Sequence, residues 1–268
     1  MERLIYVISK KNIIFLSFTF TLTWVAHWFL VYLVQSGILG LNQPLSQFLI
    51  FIGGSAPTVG AYITILFTKK GESIEKFNLR LFKFKVSYKW YIFALVIPVI
   101  LGVIGVFMAY LYNKQFFLGN PIKPIYLYIP GFFSSIIFGG IEELGWRGTL
   151  LPELQKKYNN IVSTIIVGAI WGIWHLPYFY LPGTSSFGNS VFLFILSAIG
   201  VSFFLTILYI KTESIFLCIL FHASLNATCR ISLSAPRNEI LAYTTYVILI
   251  IFIGYLLLKN YSKKRLNY

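Results

Sequence analysis

The sequence predicts an all-α fold, a polytopic membrane helix bundle with about eight transmembrane helices. Of the 268 residues, 57% are hydrophobic and only 11% are charged, whereas a soluble domain carries about 25% charged residues. The mean hydropathy of +0.77 agrees with this. The apolar residues also fall into runs of about 20, the length that a helix needs to cross a bilayer.

Eight apolar runs can be read along the chain. They lie at residues 13–34, 47–67, 91–112, 128–150, 161–181, 190–210, 214–231 and 240–258. The first run is too long for the apolar part of a signal peptide, so we expect it to be retained as the first span. The one long polar loop, 68–89, is too short to form a domain, and we predict a single integral membrane domain over residues 1–268.

The distribution of basic residues predicts the topology. The net charge is +14, but basic residues that are scattered between apolar spans cannot form one face, so we expect membrane lipids and no nucleic acid as partners. Eighteen of the 22 Lys and Arg residues lie in connections that alternate with those holding the other four. By the positive-inside rule we expect a multi-pass protein of the cell membrane with both termini cytoplasmic, which requires an even number of spans.

Ionisable residues inside the predicted spans are the candidates for function. The chain has no Asp; Glu142 and Glu143 lie in the fourth span, His175 in the fifth and His222 in the seventh. Ionisable residues are costly inside a bilayer and are functional candidates by default. His27, in the first span, has no obvious polar neighbour and is expected to be structural.

Helical spacing groups these residues. Glu143 and Arg147 are four residues apart and are predicted to pair on one helix face, while Glu142 points about 100° away and is free to meet His175. His222 and Asn226 are also four apart. At about 1.5 Å per residue, Glu142, His175 and His222 reach similar depths on three helices.

A carboxylate, two imidazoles and an amide at one depth can support hydrolysis. Glutamate and histidine can activate a water molecule, and an imidazole and an amide can donate hydrogen bonds to the oxyanion. Glu142, His175 and His222 can equally form a zinc shell with a bound water. A polar network that joins helices, or a proton relay in a small transporter, are the alternatives.

Three motifs resemble those of the CAAX protease and bacteriocin-processing (CPBP) family, which includes the Ras-converting CAAX endopeptidases. Glu142–Arg147 resembles its Glu-Glu-x-x-x-Arg motif. Trp171–His175 resembles its second motif, an aromatic residue followed four positions later by His, although eukaryotic members usually carry Phe at the first position. His222–Asn226 resembles its His-x-x-x-Asn motif. The three occur in the family's order within residues 135–230, the expected catalytic core.

The resemblance implies a hydrolase, an intramembrane endopeptidase acting on a membrane-associated, prenylated or bacteriocin-type peptide that enters from the membrane. It leaves open whether the enzyme is a glutamic protease or a zinc metalloprotease, so zinc remains a possible cofactor. A non-catalytic bacteriocin-immunity protein is a further alternative. The implied roles are activation of water by Glu142 and His175, an oxyanion hole from His222 and Asn226, and support of the site by Glu143 and Arg147.

Overall fold

A computed structural model describes residues 9–68, 72–113, 123–234, 237 and 239–263. These residues form helices and connections with no strand among them, which confirms the predicted all-α class. The helices are α1 (Lys10–Gln35), α2 (Pro44–Phe67), α3 (Ile74–Leu81), α4 (Tyr88–Asn113), α5 (Tyr128–Ile137), α6 (residues 140–155), α7 (Asn160–Trp174), α8 (Val191–Thr212), α9 (Ile215–Arg230) and α10 (Ile240–Lys263).

The apolar helices match the eight predicted runs. Six segments are long and apolar enough to cross a membrane, namely α1, α2, α4, the run Ile125–Gln155, α8 and α10. The remaining two, α7 and α9, are shorter apolar helices of 15 and 16 residues. The fifth run ends earlier than predicted, because Pro177 has no N–H to continue the helical ladder and the chain passes into a 3₁₀ turn at Leu176–Phe179.

Polar residues at the helix starts explain where several helices begin. The side chain at each N-cap accepts a hydrogen bond from the backbone N–H three residues later, which satisfies a group that the helix itself leaves unpaired. The capping residues are Ser9, Ser73, Asn159, Ser190 and Ser214.

Helices α8 and α9 form the centre of the bundle. Helix α8 packs against α7 and α10, α9 packs against α4 and α5, and α1 runs along α2. Gly168 and Gly172, one turn apart on α7, face Ile199 and Ile195 of α8, and a Cβ atom on either glycine would meet those residues. Small residues therefore bring α7 and α8 close together, as is common between membrane helices.

The loop at 68–89 contains a short helix, α3, that the sequence reading does not predict. The side chain of Phe77 on this helix is buried in the core. Arg80 forms an ion pair with Glu72 and donates a hydrogen bond to the hydroxyl of Tyr209 on α8. The loop is therefore fixed to the bundle by both apolar and polar contacts.

Connections that the charge pattern predicts to share a side do meet at one end of the bundle. Lys83 forms an ion pair with Glu213 at 3.3 Å, and Ser214 donates to the carbonyl oxygen of Lys83. A cavity at the same end is lined by Lys11, Glu72, Arg80 and Lys156, among others. We call this the charged end.

The remaining connections meet at the opposite end of the bundle. Gln35 donates to the carbonyl oxygen of Tyr180 at 2.7 Å, and Arg237 donates to the hydroxyl of Ser186 at 2.8 Å. Consecutive apolar segments therefore run in alternating directions between the two ends. We call this second end the opposite end.

Candidate active site

The fourth span is broken at the candidate site and is not the continuous helix that the sequence predicts. Helix α5 ends at Ile137, and Gly139 has φ +140°, a conformation that favours glycine because side-chain-bearing residues rarely adopt it. A Cβ atom at Gly139 would collide with the amide nitrogen of Asn226 and lie 3.3 Å from Nε2 of His222. The glycine therefore permits both the break and the close approach of α9.

After this break, α6 changes its winding along its length. A 3₁₀ turn at Gly140–Glu142 leads into a helical turn at Glu143–Gly145, a π-helical turn at Trp146–Leu150 and an α-helical turn at Leu151–Gln155. Pi turns are often found at functional sites. Pro152 lies in the first turn of the last segment, so the break at Gly139, and not Pro152, interrupts the span.

The predicted pair of Glu143 and Arg147 is present and fully buried. Nη1 of Arg147 lies 3.2 Å from Oε1 and 3.0 Å from Oε2 of Glu143. Nη2 donates to the hydroxyl of Ser202 on α8 at 2.7 Å, and the guanidinium lies 5.2 Å from the centre of the Trp171 ring. The buried cation thus has a counter-ion, a hydroxyl acceptor and an aromatic face.

Glu143 has a second partner that the sequence reading missed. Nδ1 of His222 lies 2.8 Å from Oε1 of Glu143. A carboxylate oxygen accepts hydrogen bonds, so Nδ1 carries the proton in this contact and Nε2 is directed toward Gly139 and Asn226. Glu143 therefore orients His222 in addition to neutralising Arg147. No spacing in the sequence indicates this contact, because its partners lie 79 residues apart.

Glu142 is buried and has a partner that differs from the expected one. Its Oε2 atom accepts a hydrogen bond from Nε1 of Trp171 at 3.0 Å. Among the described residues no hydrogen bond joins Glu142 to His175, so the direct meeting predicted for these two residues is not found. The Trp171 ring lies beside the rings of both His175 and His222, with centroids 5.7 and 5.3 Å away. Helix α7 therefore presents its indole to the carboxylate.

His175 lies at the C-terminal end of α7 and is held by the backbone of the same helix. Its Nδ1 atom is 2.9 Å from the carbonyl oxygen of Trp171. Because a carbonyl only accepts, Nδ1 carries the proton, and Nε2 of the neutral ring is left as an acceptor. Trp174 and Phe194 pack against the imidazole at centroid distances of 4.7 and 5.2 Å.

One cavity of about 400 Å³ brings the predicted residues together. Glu142, His175, His222 and Asn226 all line it, and they come from α6, α7 and α9. The similar depths of these residues along their spans predicted this convergence, although the broken fourth span changes the path by which Glu142 reaches the cavity.

Two further residues on the cavity wall were not predicted. Tyr178 lies on the 3₁₀ turn after α7, with its ring 4.8 Å from that of His27. Arg237 reaches the cavity from the connection before α10, where it lies 5.1 Å from the centre of the Phe194 ring. No sequence signal marks either residue, because a Tyr beside Pro is ordinary packing and an Arg in a connection is ordinarily solvated.

The three residues that could form a zinc shell line one cavity, but they do not form a ligand cluster. Among the described residues, no group of three His, Cys or acidic side chains is placed to hold a metal ion. Glu143 accepts a hydrogen bond from Nδ1 of His222. The carbonyl oxygen of Trp171 accepts one from His175, and the indole of Trp171 donates one to Glu142. In this arrangement Glu142, His175 and His222 do not form the three-ligand shell that catalytic zinc requires.

The fold and the cavity define a class of protein: a polytopic helical membrane protein with a buried carboxylate–imidazole site. Residues 124–228 match the family model described as "Type II CAAX prenyl endopeptidase Rce1-like". Over 54 residues the chain is 33% identical to CAAX prenyl protease 2 of Methanococcus maripaludis. This alignment covers 20% of this chain and 20% of the relative's length. The segment that carries the three motifs is therefore similar to the Rce1-like CAAX prenyl endopeptidases, in agreement with the resemblance seen in the sequence.

Proposed function

We propose that this protein is an intramembrane endopeptidase that hydrolyses a peptide bond of a membrane-associated peptide. The observation that carries the proposal is the convergence of Glu142, His175, His222 and Asn226 on one cavity. The match of residues 124–228 to the Rce1-like CAAX prenyl endopeptidase model supports the same reaction class. The relative in Methanococcus maripaludis is named a CAAX prenyl protease, which makes a prenylated peptide a reasonable first probe.

In the proposed mechanism, Glu142 and His175 activate a water molecule. The carboxylate of Glu142 and the unprotonated Nε2 of His175 are both acceptors, so a water between them donates one hydrogen bond to each. Glu142 takes a proton as the water oxygen attacks the carbonyl carbon of the peptide bond. It returns that proton to the amine as the carbon–nitrogen bond breaks, and the products are a carboxylic acid and an amine.

The oxyanion of the tetrahedral intermediate is stabilised by His222 and Asn226. The amide nitrogen of Asn226 is a permanent donor, whereas Nε2 of His222 donates when both ring nitrogens are protonated. Glu143 then serves as the counter-ion of the imidazolium through its 2.8 Å contact with Nδ1. Donors that are fixed before the reaction stabilise charge as it develops.

We take a glutamic protease as the form of this proposal, because among the described residues no three His, Cys or acidic side chains are placed to hold a metal ion. Nδ1 of each histidine is directed to a protein acceptor, and one oxygen of Glu142 is directed to the indole of Trp171. Each of these contacts suits acid–base and hydrogen-bond chemistry.

The test is a cleavage assay on the purified full-length protein in detergent. The probe is a farnesylated peptide that ends in a CAAX sequence and carries a fluorophore and a quencher on either side of the expected cut. Glu142→Gln should lower kcat by at least about 100-fold, the usual contribution of general acid–base catalysis, with an unchanged melting temperature. Glu213→Gln is the matched control, because Glu213 is exposed at the charged end.

Wild-type rates in Glu142→Gln would remove this residue from the mechanism. If the wild type cuts neither the farnesylated probe nor unprenylated membrane peptides, a transporter relay or a non-catalytic immunity role becomes the better account of the cavity.

A further inference from the structure

We infer that the catalytic cavity opens at the opposite end of the bundle, on the extracytoplasmic face of the membrane. This inference rests on the proposed function only in treating the cavity as the place where substrate is cut. The direction of the opening follows from the residues that line it, and the side of the membrane follows from the charges of the two ends.

The lining residues fix the end at which the cavity opens. From Glu142 at its base, the wall extends to Ser185 and Ser186 in the connection after α7, and to Arg230 and Arg237 around the connection before α10. Ser186 and Arg237 are joined by a 2.8 Å hydrogen bond. Among the described residues, none from the charged end lines this cavity; the separate cavity at that end is formed by Lys11, Arg80, Lys156 and their neighbours.

The polarity of the outer wall indicates that it meets water. Serine hydroxyls and two arginine side chains border the cavity there, and an arginine directed into hydrocarbon would be costly. Arg237 contacts a hydroxyl and an aromatic ring, and the ion pairs among the described residues do not include it. The opening therefore lies at the aqueous boundary of the bundle.

The charge difference between the ends sets the orientation. Leaving out Arg147, which is buried at the candidate site, seventeen Lys and Arg residues belong to the segments of the charged end and four to the opposite connections. This bias keeps the charged end in the cytoplasm. The opposite end, and with it the cavity opening, then faces away from the cytoplasm. The natural substrate would accordingly be a peptide that is displayed on the extracytoplasmic surface of the membrane.

Native cysteines allow a direct test with a membrane-impermeant maleimide on intact cells. Cys229 lines the cavity and is exposed, whereas Cys218 is buried and serves as an internal control. We expect labelling of the wild type in intact cells and loss of that labelling in Cys229→Ser. Glu142→Gln should label like the wild type, because access to the cavity does not require chemistry.

Two cysteines introduced into the Cys229→Ser variant show on which side of the membrane the cavity opens. They do so even if Cys229 itself reacts slowly. Ser185→Cys, on the cavity wall, should react in intact cells, and Lys83→Cys, at the charged end, should react only after permeabilisation. Labelling with the two positions reversed would overturn the inference. A wild type that labels as expected but cuts no peptide would contradict the proposed function and leave the orientation standing.

Discussion

Oε1 of Glu143 lies 2.8 Å from Nδ1 of His222 and 3.2 Å from Nη1 of Arg147. One carboxylate oxygen thus joins the buried cation of α6 to an imidazole of α9. The adjacent Glu142 is bound instead by the indole of Trp171. Neighbours in sequence therefore take different parts in the site, one holding its architecture and one facing the cavity.

Replacing Glu143 should destabilise the protein, because Arg147 would be left as an uncompensated buried charge. For Glu143→Gln we expect a loss of about 3–5 kcal/mol and loss of cleavage. The double variant Glu143→Gln with Arg147→Met should regain part of the stability, since neither charge is then unpaired. Cleavage should stay low, because His222 still lacks its counter-ion. Melting temperatures in detergent and cleavage rates test this, and a double variant that melts no higher than Glu143→Gln would contradict the pairing.

Replacing Trp171 by Phe tests whether its hydrogen bond to Glu142 matters. The resemblance implies that Phe is accepted at this position, but the change removes the N–H that lies 3.0 Å from Oε2 of Glu142. A hydrogen bond to a charged group contributes about 1.5–3 kcal/mol, so we expect kcat to fall by about tenfold or more.

Trp24→Phe provides the matched control for Trp171→Phe. Trp24 donates to the carbonyl oxygen of Trp174 at 3.2 Å and does not line the cavity, so this variant loses an indole hydrogen bond away from Glu142. Its stability should fall while kcat stays near that of the wild type. Equal kcat values for the two variants would show that the bond to Glu142 has no special role.

Gly139→Ala should disrupt the proposed oxyanion hole. The added Cβ would collide with Asn226 and press on His222, and φ of +140° is unfavourable for alanine. Gly37→Ala separates the two effects, because Gly37 has φ +71° and open space around its Cβ position. We expect cleavage to be lost in Gly139→Ala and retained in Gly37→Ala, and retention of cleavage in both would argue against a tight fit of Asn226 at Gly139.

A reporter fused after α10 should report the cytoplasm. The expected result is an active cytoplasmic fluorescent reporter and an inactive alkaline phosphatase, since the tail after residue 258 belongs to the lysine- and arginine-rich segments. An active phosphatase fusion would show that the protein has the opposite topology, with the cavity opening on the cytoplasmic side.

The sequence by itself determined the fold class, the positions of eight apolar segments and the Glu143–Arg147 pair. These features depend on local patterns: apolar length fixes a span, and a four-residue spacing on a helix fixes a neighbour. The convergence of Glu142, His175 and His222 was also predictable, because residues at equal depth in a small bundle have few other places to meet.

Only the tertiary structure decided the break at Gly139, the contact of His222 with Glu143 and the bond from Trp171 to Glu142. Each depends on how α6, α7 and α9 are rotated and how closely they pack. Side chains far apart in sequence compete for the same buried carboxylates, and helical spacing carries no information about which will reach them. The end at which the cavity opens was hidden for the same reason, since Ser186 and Arg237 become neighbours only when the bundle is assembled.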